Sequence, residues 1–119
     1  MSDHNDALYF KHIVDACNRI GRFTEGVTWA AFVANEEKQS AVIRQLEIIG
    51  EAGGHISSAG RAAYPHIPWR ALRATRNLLI HGYANVDLRR VWEIAKRQVP
   101  TLGTAVRDVL AAHNAQPER

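Results

Sequence analysis

The sequence has few features of a secreted, membrane-spanning or metal-binding protein. Its one cysteine, Cys17, cannot form an internal disulfide, which favours a reducing cytoplasm. No apolar run approaches the roughly 18 residues of a membrane helix, and no basic region followed by an apolar stretch opens the chain. The six histidines are scattered without a His-x-x-x-His pair. We therefore expect a cytoplasmic protein with no membrane segment, no metal site and no cofactor.

Phosphate-binding loops are also missing, since the glycines form no G-x-G-x-x-G pattern and no Gly-Lys-Ser/Thr occurs. A length of 119 residues is close to the commonest size of one domain, which excludes separate cofactor and substrate lobes. We expect a single domain over residues 1–119, with its core at about 6–112 and a frayed tail at 114–119.

The charge is unevenly distributed, although the net value is only +3. Residues 1–60 carry five cations against eight acids, a net charge of −3. Residues 61–97 carry eight cations against two acids, a net charge of +6. Twelve of the fifteen cations are arginine, which can grip phosphate with two hydrogen bonds. The basic segment indicates either a nucleic-acid or nucleotide partner or a solvated basic helix face.

Apolar residues recur every three or four positions over most of the chain, the period of a helix with one buried face. Two such stripes are Tyr9, Ile13, Cys17 and Ile20, and Val42, Leu46, Ile49, Gly53 and Ile56. No stretch alternates as a strand does. The pattern predicts an all-α fold, an antiparallel bundle of four to five helices.

Capping residues predict where the helices of the first half begin and end. Three candidates precede the first helix: Asp3, Asn5 and Asp6. Gly21 is the expected end of that helix, and Thr28 the expected cap of a short second one. Asn35, followed by the acidic pair 36–37, is expected to open a long third helix.

Prolines and aspartate mark the helices of the second half. Pro68 is suited to the first position of a fourth helix that ends near Gly82. Asp87 is expected to cap a fifth helix. Pro100 either kinks that helix or starts a separate one.

The segment from Arg76 to Tyr83 combines an arginine, an asparagine and a histidine. On an ideal helix positions 76 and 81 lie about 140° apart, whereas Asn77 and His81 share a face. An arginine that neutralises phosphate and a histidine that exchanges protons suit metal-free RNA cleavage. An arginine paired to a carboxylate, with His81 as a cation at a helix C-terminus, is the structural alternative.

This segment resembles the Arg-x4-His-x-Tyr signature of the HEPN superfamily, in its HepT-like toxin branch, through Arg76, Asn77, His81 and Tyr83. Further matches lie outside it: Leu46–Ala52, Ile67–Trp69, Val86–Asp87 and Val91–Trp92. The resemblance covers roughly residues 6 to 112. Gly53-Gly54 departs from the family pattern, where helix formers are expected.

The resemblance implies a homodimer in which both copies of the motif line one cleft and cut RNA without metal. His81 then moves protons, Arg76 stabilises charge on the phosphorus centre, and Asn77 orients the histidine or the phosphate. It also implies a partner, an antitoxin of the minimal nucleotidyltransferase type, which adds an adenylyl group to Tyr83. A non-catalytic helical module that binds a nucleotide or such a nucleotidyltransferase is the alternative function.

Two charged residues are possible supports of the motif. Glu51 could fix Arg76 or Arg73 beside the cleft, or form an ion pair that only joins two helices.

Trp69 and Trp92 are expected to anchor the core. Cys17, on the apolar stripe, is expected to be a buried small side chain and not a nucleophile.

Overall fold

The computed structural model of the protein describes residues 3–81 and 86–115, with side chains for residues 5–75 and 86–115. Helices occupy most of these ranges, and no strand occurs within them. In chain order they are α1 (Asp3–Thr24), α2 (Trp29–Val33), α3 (Glu36–His55), α4 (Ser58–Ala63), α5 (Trp69–His81), α6 (Leu88–Glu93), a π-helical turn (Ile94–Gln98) and α7 (Val99–Ala115). The predicted all-α fold is confirmed.

Four longer helices, α1, α3, α5 and α7, form the body of the bundle, and its core lies where α1 packs against both α3 and α7. Side chains of all three helices are fully or almost fully buried there: Phe10, Ile13, Ile20, Val42, Leu46, Ile49 and Val106. Cys17, Gly53 and Ile56 are buried as well, so every member of the two predicted apolar stripes except the half-buried Tyr9 is buried. No helix within the described ranges is long and apolar enough to cross a membrane.

Three of the predicted helix starts are confirmed. The side-chain oxygen of Thr28 accepts a hydrogen bond from the Ala31 amide at 3.1 Å, and α2 follows. Asn35 Oδ1 accepts from the Lys38 amide at 2.9 Å at the start of α3. The Asp87 carboxylate accepts hydrogen bonds from the Arg89 and Arg90 amides at the start of α6. In each case a side chain satisfies amides that the first turn leaves without an intrahelical partner.

The predicted end of the first helix is wrong, because α1 continues through Gly21 to Thr24. Two lysines from other parts of the chain bind its last turn. Lys38 donates from Nζ to the Phe23 carbonyl at 2.7 Å, and Lys96 donates to the Thr24 carbonyl at 3.3 Å. Cations that satisfy terminal carbonyls stabilise a helix end. These partners lie far away in sequence, so local composition did not reveal them.

The prediction that Asp6 caps its own helix is wrong. It lies inside α1 with 2% of its surface exposed. Its carboxylate accepts from the Ser57 amide at 2.9 Å and from Ser57 Oγ at 2.6 Å. Ser57 Oγ in turn accepts from the Gly60 amide at 2.9 Å and so caps α4, a short helix that the sequence did not predict. Asp6 thereby joins α1 to the connection between α3 and α5.

Pro100 lies within a helical run that extends from Leu88 to Ala115. Just before it the run widens into the π-helical turn, where the Val99 amide donates to the Ile94 carbonyl five residues earlier. A proline in a helix clashes with the carbonyl four residues before it and has no amide to offer. The wider turn accommodates both effects, and α7 begins at Val99 without a loop.

Candidate active site

The helix that carries the Arg-x4-His segment is α5, which runs from Trp69 to His81. It begins directly after Pro68, as predicted, with the Pro68 carbonyl accepting from the Leu72 amide at 3.1 Å. Positions 76, 77 and 81 all lie on α5, so the helical placement of these three positions is confirmed. The side chains of Arg76, Asn77 and His81, and all of Tyr83, lie outside the described residues.

The first turn of α5 is anchored in the core by Trp69. Its indole Nε1 donates to the Tyr64 carbonyl at 3.1 Å, and its ring lies 6.4 Å from that of Phe10. The prediction that Trp69 anchors the core is confirmed. Trp92 also packs against the core, with its ring centroid 5.0 Å from that of Phe32.

α5 packs closely on α3 at Gly53. A Cβ atom at this position would lie 3.2 Å from Leu72 Cδ1 and 3.3 Å from Leu72 Cβ, tighter than an ordinary contact. Leu72 itself is 5% exposed. Gly53, one of the two glycines that depart from the family pattern, therefore allows α5 to lie close against α3. The neighbouring Gly54 has open space around it.

Glu51 and Arg73, the possible supports of the motif, are both exposed, on α3 and α5 respectively. Among the described side chains, ion pairs join Lys11 to Asp15 and Arg44 to Glu47, and Glu51 does not form one with Arg73. The exposure of Glu51 fits a polar edge and avoids the desolvation cost of a buried carboxylate. Its contribution to the motif stays a prediction.

Cys17 is placed away from any catalytic function, as the sequence predicted. It is 5% exposed and belongs to the α1 part of the core. Burial raises the pKa of its thiol to about 12, and the positive charge of Arg107 opposes this only in part. A thiol with so high a pKa remains protonated and non-nucleophilic near neutral pH.

A cleft of about 670 Å³ opens beside α5, between this helix and the segment formed by α6 and the π-helical turn. Its described lining residues include no acid and are Pro68, Arg70, Ala71, Ala74, Thr75, Arg90, Ile94 and Gln98. The sequence analysis missed Arg70 and Arg90 as site residues. The signal for them was the +6 charge of residues 61–97, which the motif alone does not explain.

Among the described residues, no group of three or more histidine, cysteine, aspartate or glutamate side chains is placed to hold a metal ion. The side chains of Arg76, Asn77 and His81 lie outside these residues.

The fold and the position of α5 can be compared with those of known proteins. The family model described as ribonuclease HepT-like matches residues 13–109, which include the whole of α5 and most of the core. The chain belongs to the ribonuclease HepT-like family. The resemblance to HepT-like proteins, and the helical bundle of that type, are thus confirmed.

Three relatives of this HepT-like chain are similar to it along most of their length. A candidate RNase of Methanocaldococcus jannaschii is 35% identical over 102 residues, covering 86% of this chain and 94% of the relative. A protein named probable ribonuclease HepT, of Thermococcus cleftensis, is 39% identical over 99 residues, covering 83% and 88%. A candidate RNase of Caldanaerobacter subterraneus is 31% identical over 102 residues, covering 86% and 91%. No solved structure matches the chain.

Proposed function

We propose that this protein is a metal-independent endoribonuclease, the toxin of a toxin–antitoxin pair. The observation that carries the proposal is the position of Arg76, Asn77 and His81 on one helix of a ribonuclease HepT-like chain. The same helix lies in the most basic part of the sequence, which suits a polyanionic substrate. Relatives named as ribonucleases support the substrate class.

In the proposed reaction the ribose 2′-hydroxyl attacks the adjacent phosphorus. A base removes the 2′-hydroxyl proton as the new oxygen–phosphorus bond forms, and an acid protonates the 5′-oxygen as its bond to phosphorus breaks. The products are a 2′,3′-cyclic phosphate and a 5′-hydroxyl. His81 transfers these protons because an imidazole titrates near neutral pH. Arg76 stabilises the negative charge that develops on the phosphorane, and Asn77 orients the histidine or the phosphate.

The site is proposed to be complete only in a two-fold symmetric homodimer. Positions 76 and 81 point about 140° apart on one helix, so a single copy does not gather both side chains on one phosphate. An isologous pair presents two arginines and two histidines to a shared cleft. Light scattering should show a dimer in dilute solution, and a monomer that still cleaves RNA would contradict the composite site.

Control by a nucleotidyltransferase antitoxin is proposed to act on Tyr83. The tyrosine hydroxyl attacks the α-phosphorus of ATP, releases pyrophosphate and becomes an O-adenylyl-tyrosine. The added phosphodiester is negative and lies two residues from His81, so it would compete with RNA for the motif arginine.

The decisive experiment incubates the purified protein with RNA in the presence of a chelator. The expected products are fragments with 2′,3′-cyclic phosphate ends, formed at the same rate when magnesium is present or absent. The matched control is the His81→Ala variant purified in the same way, which excludes a contaminating nuclease. Intact RNA across several substrates would instead support the non-catalytic module that binds a nucleotide or a nucleotidyltransferase.

A further inference from the structure

The cleft between α5 and the α6–π segment is not used by the proposed catalytic step. Arg70 stands on its α5 side and Arg90 on its α6 side, and both are exposed. Among the described side chains neither arginine forms an ion pair. Two arginines therefore line one space whose described lining residues include no acid, so their positive charges are available to an anion there.

Small or apolar side chains also line the cleft. They are Ala71 and Ala74 from α5 and Ile94 from the π-helical turn. The Thr75 hydroxyl donates to the Ala71 carbonyl at 3.0 Å and is therefore already engaged as a donor. Among the described lining residues, the side-chain donors that remain for a ligand are the two guanidinium groups and the exposed amide of Gln98.

The cleft is in register with the motif along α5. Positions 77 and 81 each fall within about 20° of position 70 around an ideal helix, one on either side of it. Along the axis, position 70 precedes positions 77 and 81 by about 10 and 16 Å. A polyanionic strand bound at the C-terminal end of α5 can thus follow one face of the helix into the cleft. Only a repeating anion offers charges at both places.

We propose that this cleft binds backbone phosphates of the RNA strand beside the phosphate that is cut. The inference rests on the proposed function for the identity of the polyanion, and it adds Arg70 and Arg90 as residues that position the substrate. Contacts to phosphate do not read bases, so the cleft contributes affinity and register without sequence preference. The two arginines take no part in proton transfer.

The test measures binding of a 2′-O-methyl RNA oligonucleotide, which lacks the attacking hydroxyl, at increasing salt concentrations. Arg70→Gln and Arg90→Gln should each lower the slope of log K against log salt by about 0.7, because one counterion-releasing contact is lost. Each should weaken binding about twofold to fivefold, the range of exposed charge pairs. With cleavable RNA, KM should rise by a similar factor while kcat stays constant.

Matched variants separate charge from structure. Arg22→Gln removes the same charge from the exposed surface of α1 and should leave the slope unchanged. Arg70→Lys and Arg90→Lys keep the charge and should restore the slope of the wild type. Circular dichroism of each variant verifies the helical fold.

The outcomes distinguish this proposal from the function on which it rests. If the wild type cleaves RNA but the cleft variants keep its slope, the cleft proposal is overturned and the nuclease stands. If the wild type binds but does not cleave, while the variants lower the slope, the cleft stands and the nuclease fails. If the cleft variants change the oligomeric state but not the affinity for RNA, the cleft is a contact between copies and the proposal is overturned. A wild type that does not bind the oligonucleotide would also overturn it.

Discussion

The α1–α3–α7 core and the α5–α6 side of the molecule are built on different principles. In the core, apolar side chains such as Phe10, Ile13 and Val106 are fully buried, and side-chain hydrogen bonds join α1 to α3 and to α7. On the other side, α5 packs on α3 through Gly53 and Leu72, while the opposite face borders an open, basic cleft. The chain is acidic in its first half and basic in the segment that forms this second side.

This difference separates stability from function. Burial of apolar surface stabilises the core and leaves little room for substitution, since close-packed interiors respond to the loss of a single methylene group. Exposed arginines contribute little to the free energy of unfolding and can serve a ligand. Substitutions on the two sides should therefore affect different measurements.

The largest effect is expected in the motif. Arg76→Ala and His81→Ala should each lower the rate of RNA cleavage on the order of 10²–10⁴-fold, because a positioned electrostatic or acid–base group is lost. Single-turnover cleavage assays measure the rate, and thermal unfolding should be unchanged. An active His81→Ala enzyme, with contaminants excluded, would refute the mechanism, and an unfolded one would favour a structural role for this residue.

The core should respond in the opposite way. Phe10→Ala removes a fully buried ring that meets Tyr64 and His113 edge-on at 5.9 and 5.6 Å. It should lower the free energy of unfolding by about 3–5 kcal/mol through lost burial and a remaining cavity. Urea denaturation measures the loss. Leu8→Ala, on the same helix but 49% exposed, is the matched control and should change stability by less than about 0.5 kcal/mol.

The junction of the two sides can be tested at Gly53. Gly53→Val should push Leu72 and α5 away from α3, at a cost of about 1–3 kcal/mol. Cleavage should then fall although α1 and α7 remain protected in hydrogen exchange. Gly54→Val is the control, because a Cβ there meets no atom within 4 Å. Equal effects of the two substitutions would show that close helix approach is not the reason for the glycine.

The buried thiol should give a smaller, pH-dependent effect. Because burial raises the pKa of Cys17 from 9.0 to about 12, the unfolded chain loses this proton at a lower pH than the native protein. The native state binds more protons in that window, so the free energy of unfolding falls as pH rises above about 9. Urea denaturation of the wild type and of Cys17→Ala between pH 7 and 10 should show a steeper decline for the wild type. Parallel declines would contradict the assignment.

The smallest effect on cleavage is expected at Tyr83. Tyr83→Phe should cut RNA at the rate of the wild type, because its hydroxyl has no part in the proposed reaction. It should resist adenylylation by the nucleotidyltransferase partner, which intact-mass measurement after incubation with ATP and magnesium detects. Modification of the variant to the extent seen in the wild type would mean that another residue is the acceptor.

Local signals were sufficient for much of the fold. Thr28, Asn35 and Asp87 act within three residues of the amides they cap, so the helix starts follow from short-range chemistry. The apolar period identified both stripes, because burial of one helix face requires that spacing. Positions 76, 77 and 81 of the motif also lie on a helix, as predicted. The order of the motif after Leu46–Ala52 and Ile67–Trp69 in the sequence pointed to the family.

Tertiary structure decided the features that depend on distant partners. α1 extends past Gly21 because Lys38 and Lys96 donate hydrogen bonds to its last carbonyls. Asp6 can be buried because Ser57 donates hydrogen bonds to its carboxylate. The cleft likewise brings together Arg70 and Arg90, twenty residues apart and on different helices. The sequence by itself determined the helices and the buried stripes, since these depend on neighbours three or four positions away. Only the packing of helices against one another determined where α1 ends, what surrounds a buried carboxylate and which cations share a cleft, since those free energies depend on groups that the chain brings together only after folding.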